Sequence, residues 1–278
     1  MLHTNLTNFT YGQGKEQDFC QTGSLYDERG PFQYMIVADG HGRGDIISVL
    51  KNDDFPWRDI LIQTTSTMIG KTIINYLIYY GVLNRSTYDG TTISVAKIYS
   101  NFIHLVWLGD SKIQVFIDDK TKFLTPPHNC SNEDEIINFN RQGCQLKDSY
   151  DFRQIDAKKM IRVKTKRVVI SNKENTSLTR CLGHDRLLNE NFQEKFIKLT
   201  RNNKVDVVAA SDGFWDVAGI PKDYSIMLSE NTTARDLCKL AVKRWKQSWI
   251  YYPENKRPYT RSFPTESHDD IAVTVWHN

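Results

Sequence analysis

The chain has 278 residues, enough for one large domain or two small ones and for a sizeable core. Lys and Arg number 36 against 33 Asp and Glu, a formal net charge of +3. The composition is that of an ordinary soluble globular protein, and so small a charge gives no sign of a nucleic-acid surface. Five scattered cysteines (Cys20, Cys130, Cys144, Cys181 and Cys238) form no Cys-x-x-Cys pair, which argues against a disulfide framework or a zinc knuckle and for a reducing compartment. The opening "MLHTNLTNFTYGQGK" has no basic stretch followed by an apolar core, so no secretory signal is read there. A cytoplasmic or nuclear protein, not a secreted one, is expected.

In chain order, "FQYMIVA" predicts a strand that runs into "VADGHGRGD", Val37 to Asp45. A helical block follows over about residues 57–83. Its apolar part, "ILIQTTSTMIGKTIINYLIYYGVL", is interrupted by Gln63, Lys71 and Asn75 well short of a membrane span, so it is expected to pack on a core. Three apolar runs then come in close succession, "GTTISVAKIY", "NFIHLVWLGD" and "KIQVFID", separated by "YSN" and "GDSK", and they predict an antiparallel meander. A short helix is expected from "SNEDEIINFNRQG", with Ser131 and Asp134 as a capping box and Gly143 as its end.

Further on, "KVDVVAASDG" predicts another strand. "TTARDLCKLAVKRWKQSW" predicts a helix with Leu237, Leu240, Ala241, Val242 and Trp245 on its buried face. The proline-rich, charged segment 253–268 reads as a surface loop, and "DDIAVTVW" as the last strand. No internal repeat is present. The pattern is that of an α+β protein with helices covering antiparallel sheet, organised as a single domain over residues 1–278.

The informative feature is the position of four acidic residues. Asp39 follows "YMIVA", Asp212 follows "VDVVAAS", Asp269 precedes "IAVTVW", and Asp18 lies in "GKEQDF". Each stands at the edge of a strand candidate. Carboxylates gathered at neighbouring strand ends repel one another and lose hydration, so a fold keeps them together only with a compensating cation. Oxygen ligands without clustered His or Cys favour Mg²⁺ or Mn²⁺.

At these residues the chain resembles the type 2C, metal-dependent serine/threonine protein phosphatases. "VADGHGRG" resembles their DGHGG segment, "GTTISVAKIYSNFIHLVWLGDSKIQVF" their GSTA…ANVGDSR segment, "LTRCLGHD" their LSRALGD segment, "AASDGFWDV" their SDGLWD segment and "DDIAVTVW" their DNITV segment, all in the family's order. The resemblance implies a β-sandwich of two antiparallel sheets flanked by helices, in α-β-β-α layers, with a dinuclear Mg²⁺ or Mn²⁺ centre at one end. Asp39 would bridge the two ions, Gly40 would offer its carbonyl, and Asp18, Asp212 and Asp269 would complete the set. Such a centre activates a bridging water for attack on phosphoserine or phosphothreonine in a phosphoprotein substrate. His41 is then the candidate acid for the leaving oxygen. Neither a nucleic-acid nor a membrane partner is expected.

The sequence departs from the family pattern in places that bear on the site. Gln13 stands where the family carries a phosphate-gripping arginine, which leaves Lys15 and Arg43 as candidates for that charge. Gln17 replaces an acidic residue, and Asp270 replaces the usual Asn. Pro127 stands where many relatives have an aspartate for a third metal, so only Asp216 remains of that site and a weak or absent third ion is expected. Asp110 is expected to be a turn residue. Two alternatives therefore stand beside the enzyme: a pseudophosphatase that binds partners without turnover, and a phosphomonoesterase acting on small molecules.

Overall fold

The computed structural model describes residues 5–83, 89–141, 145–169, 175–183, 191–254 and 256–278. The chain opens with strands β1 (Asn5–Tyr11), β2 (Asp18–Asp27) and β3 (Gly30–His41). Helices α1 (Asp45–Leu50), α2 (Trp57–Leu61) and α3 (Ser66–Tyr79) follow. Next come β4 (Gly90–Thr91), β5 (Ile93–Ile98), β6 (Phe102–Leu108), β7 (Lys112–Ile117) and β8 (Lys120–Leu124), then α4 (Glu133–Arg141). A long hairpin, β9 (Leu146–Asp156) and β10 (Lys159–Val169), leads to β11 (Asn175–Thr176), β12 (Gln193–Lys198) and β13 (Val205–Ala210). The last part holds α5 (Asp212–Trp215), α6 (Tyr224–Met227), α7 (Ala234–Trp245), β14 (Ser248–Tyr252), β15 (Tyr259–Ser262) and β16 (Ile271–His277).

Two antiparallel sheets form the sandwich. One has the order β1-β16-β13-β7-β8 and the other β12-β6-β5-β3-β2, with β4 paired to the end of β3. Side chains alternate between the faces of each strand, and the burial follows that period of two. On β3, Met35 and Val37 point between the sheets while Tyr34, Ile36 and Ala38 meet α1, α2 and α3. On β13, Val205, Val207 and Ala209 point inward, whereas Val208 and Ala210 meet α5 and α7. The result is the expected layering of helices, sheet, sheet and helices.

Several details differ from the sequence reading. The run β5-β6-β7 is not one meander: β6 pairs with β5 and β12, while β7 pairs with β13 and β8, so the "GDSK" turn carries the chain from one sheet to the other. The 57–83 block is two helices rather than one. Asn132, not Ser131, caps α4, since its Oδ1 accepts the Asp134 N–H while the Ser131 hydroxyl turns to Asn129; the expected end at Gly143 lies outside the described residues. On α7, Cys238 and Arg244 are buried in place of Leu240 and Val242, because Arg244 reaches a buried partner in Asp223.

The largest omission is a third sheet, β11-β10-β14-β15 with β9 on β10, which includes a parallel pair between β10 and β14. Strands β9 and β10 are rich in Lys, Arg and Asp and lack the apolar runs that mark buried strands, and β14 opens with Ser248 and Trp249, the last residues of the helix expected from sequence. The segment 253–268, read as loop, supplies β15. Among the described residues no helix is long and apolar enough to cross a membrane. Cys20, Cys130, Cys181 and Cys238 are free thiols.

Candidate active site

The site is built by strand ends. Asp18 opens β2 directly opposite Asp39 near the end of β3, as antiparallel partners. In the facing sheet β13 ends at Ala210, and Asp212 begins α5 two residues later, after Ser211. The segment before β16 delivers Asp269 alongside, tied down where Ser211 N–H donates to the Ala272 carbonyl and Ala272 N–H to the Ser211 hydroxyl, both 3.0 Å. Gly213 is needed for this approach: a Cβ there would lie 1.9 Å from the Asp270 carbonyl oxygen. The Asp39 carbonyl is held by Thr92 N–H at 2.9 Å and the Thr91 hydroxyl at 3.0 Å. Gly40 N–H donates to the Gln17 carbonyl, 2.9 Å.

The four sequence-selected aspartates thus fall within electrostatic reach of one another. Burial pushes the Asp18 carboxyl up to about 7, with the charges of Asp269 and Asp270 adding to the effect and a hydrogen bond from Ser211 opposing it. Asp39 is pushed well above the usual carboxylate range by the protein packed around it and then by Asp212 and Asp18. Asp212 rises in the same way, through burial and then the charges of Asp110 and Asp269. Asp110, read from sequence as a turn residue, is itself buried and belongs to this charged group.

Asp18 Oδ2 and Asp212 Oδ1 are buried with no hydrogen-bond partner. Orphaned, mutually repelling carboxylate oxygens are what hard divalent cations satisfy, so the donor set fits Mg²⁺ or Mn²⁺. Among the described residues no three His, Cys, Asp or Glu side chains already converge as a preformed cation site.

The loop between β1 and β2 is held by contacts that sequence reasoning missed. Asp270 accepts Gln13 N–H at 2.6 Å and Gln17 N–H at 2.8 Å, so the carboxylate that replaces Asn clamps the loop rather than facing the other aspartates freely. The Gln13 amide donates to the Asp269 carbonyl, 2.6 Å, and the Gln17 amide to the Gly42 carbonyl, 2.9 Å. On this loop Lys15 pairs with Asp269 at 3.1 Å. Arg43 is exposed, and so is Asp216, which lies near enough to feel the charges of Asp110, Asp269 and Asp151. His41 ends β3 opposite Gly90, with Nε2 3.8 Å from the Cys181 Sγ. Asp89, also missed, is buried and accepts Gly44 N–H and Ile46 N–H, each 2.9 Å, which fixes the glycine-rich turn after His41 at the start of α1. No signal within residues 37–45 pointed to a cap more than forty residues away.

A family model described as Protein phosphatase 2C matches residues 27–243, which is most of the chain. The chain belongs to the protein phosphatase 2C family. No curated protein sequence matches it. Among solved structures, the fold is similar to that of the serine-threonine phosphatase 2C from Toxoplasma gondii, with a TM-score of 0.63 at 14% identity, covering 99% of this chain and 94% of that one. The PPM Ser-Thr phosphatase of Mycobacterium smegmatis, solved in complex with cacodylate, gives 0.57 at 15% identity, covering 99% and 97%. A C. elegans sex determining protein gives 0.56 at 17% identity, with 98% of this chain spanning 64% of that one. At such identities these likenesses speak for the protein phosphatase 2C fold alone.

Proposed function

We propose that the chain hydrolyses phosphoserine and phosphothreonine in proteins, as a single catalytic domain over residues 1–278, at the cluster of Asp18, Asp39, Asp212 and Asp269. The observation that supports this most is that four strand-edge carboxylates from distant parts of the sequence share one end of the sandwich and leave buried oxygens unpaired. These side chains, with the Gly40 carbonyl, would hold two Mn²⁺ or Mg²⁺ ions, which supply Lewis acidity toward water and positive charge for the phosphoryl oxygens. Asp216 without an acid at Pro127 makes a third ion weak or absent. Lys15, on the clamped loop, brings a cation to the rim for the substrate phosphate, with Arg43 as the other cation near the turn. His41 protonates the departing seryl or threonyl oxygen. A cytoplasmic or nuclear setting fits the free thiols and the phosphoprotein substrate.

The test is turnover of phosphopeptides by the full chain. Activity is expected to vanish in EDTA and return with Mn²⁺, and Asp39→Asn and Asp212→Asn are expected to lose both Mn²⁺ affinity, read by calorimetry, and activity. Turnover undiminished in EDTA would remove the metal reading. Mn²⁺ binding without any turnover would leave the pseudophosphatase, and turnover of para-nitrophenyl phosphate but no phosphopeptide would leave the small-molecule esterase.

A further inference from the structure

The third sheet carries a charge out of proportion to the rest of the molecule. Residues 145–169 and 248–262, which make up most of it, contain eleven Lys and Arg against four Asp and Glu. That is a surplus of seven positive charges in a chain whose total is +3, so the remainder is net negative. The surplus is also ordered. Antiparallel partners share a face, and the register sets Arg162 opposite Phe152 and Lys164 opposite Tyr150. Across β14, Tyr251 pairs with Tyr259 on the same face, and Phe152 meets Tyr251 edge to face at 4.6 Å.

Tyr150, Phe152 and Tyr259 remain 46%, 41% and 42% exposed, so the outer part of this face is open, while its inner end, at Tyr251, Met160 and Gln154, is buried against the core. Its rings are nevertheless engaged: the Arg162 guanidinium lies 3.8 Å from the centre of Tyr150, and Tyr259 stacks on Tyr251. Ring faces capped in this way are not platforms for nucleic-acid bases, which need an open face. What the face offers outward is a row of cations. Arg162 and Lys164 are two residues apart on one strand, a repeat of about 6.6 Å that an extended peptide reproduces in its alternate side chains.

The sheet also borders the proposed centre. Asp151 on β9, whose side chain is on the face opposite Tyr150 and Phe152, is close enough to act on Asp216, and Lys222, shortly after α5, pairs with Asp156 at 2.9 Å, so the strand that carries the cationic face runs past the site. We propose that this face receives the acidic residues flanking the phosphorylated serine or threonine, so that the enzyme selects acidic phosphopeptides. The inference rests on the phosphatase reading above and adds the substrate class. Asp148, which pairs with Lys164 at 3.1 Å and with Lys166, holds the lysine side chains in line until a substrate carboxylate takes its place.

The experiment compares kcat/KM of the full chain with Mn²⁺ on phosphothreonine peptides flanked by Asp and Glu, by Ala or by Lys. The acidic peptide is expected to lead the neutral one by roughly five- to tenfold, the scale of a few exposed charge pairs, and the lead should shrink as salt rises. Arg162→Glu with Lys164→Glu should abolish or reverse the preference while leaving para-nitrophenyl phosphate turnover unchanged. If reversal unfolds the sheet, Arg162→Gln with Lys164→Gln supplies the same readout. Equal rates on all three peptides, or a preference that survives in the variants, would overturn the proposal. Binding of a fluorescent unphosphorylated acidic peptide, followed by anisotropy, tests the surface even if no peptide is hydrolysed: loss in the variants supports it, and no binding by the native chain refutes it. A single-stranded oligonucleotide that binds through Arg162 and Lys164 while the acidic peptide does not would give the face to nucleic acid and refute the proposal as well.

Discussion

His41 has little freedom of position. Its Nε2 lies against Gly90, where a Cβ would come within 2.4 Å of it, and stands 3.8 Å from the Cys181 sulfur. In the proposed reaction this ring takes the part of proton donor rather than ligand. Serine alkoxide departs poorly without that proton, whereas para-nitrophenolate needs none. His41→Ala should therefore cut phosphopeptide kcat by about 10² to 10⁴ and para-nitrophenyl phosphate kcat only weakly. Gly90→Ala, which pushes the ring aside, should show the same contrast to a smaller degree. Equal losses on both substrates would assign His41 to holding the turn. At this scale the sequence was legible where chemistry demands a residue type: Asp18, Asp39, Asp212 and Asp269 could be picked out because acids at strand edges need a reason. Asp270 was not, because its partners, Gln13 and Gln17, lie more than 250 residues away and nothing local marks it as a clamp.

Among the elements, α1 shows how a short helix is made to matter. It has six residues and is preceded by Gly44 at the N-cap position, whose φ of 78° suits glycine and whose missing side chain cannot cap. Asp89 takes that part from across the sheet by accepting two of the helix's first N–H groups, and so ties the turn after Asp39 and His41 to the chain just before β4. Asp89→Ala leaves both donors buried without a partner, which should cost about 2 to 3 kcal/mol in urea unfolding and weaken Mn²⁺ binding as the turn loosens. Asp89→Asn keeps one acceptor and should lose about half as much. Unchanged unfolding in Asp89→Ala would mean that solvent reaches this cap. The strands that could be read from sequence, β3, β5, β6, β7, β13 and β16, are those whose apolar runs are buried on both faces. β9, β10 and β15 escaped because half-exposed, charged strands carry no such run, and the passage of β6 and β7 into different sheets depends on pairing that a short turn does not encode.

For the molecule as a whole, acid stability separates two kinds of buried group that pull in opposite directions. The raised carboxyls of Asp18, Asp39 and Asp212 take up protons more readily folded than unfolded, so they favour the metal-free fold as pH falls. His128 does the reverse. It is fully buried, its Nδ1 accepts the Gly109 N–H at 3.0 Å, and its backbone joins the β6–β7 crossing to Thr179, so a proton on Nδ1 breaks that link. Burial, then the charge of Arg180, holds its imidazole down at about 4. An unfolded chain takes a proton there near pH 6.5 while the folded chain refuses it until about 4. The stabilising share of His128 is therefore complete above pH 6.5 and drains away as pH falls toward 4, with a slope of at most about 1.4 kcal/mol per pH unit and a total on the order of 3 kcal/mol. The carboxylates and His104 are common to the native chain and to His128→Asn, so the difference in unfolding free energy between the two isolates this residue. That difference, measured by urea at pH 7, 6 and 5 in EDTA, should narrow steadily as the solution is acidified. A difference that stays constant with pH would show that His128 is protonated alike in the folded and unfolded chain, and that Gly109 is held by something other than a neutral imidazole.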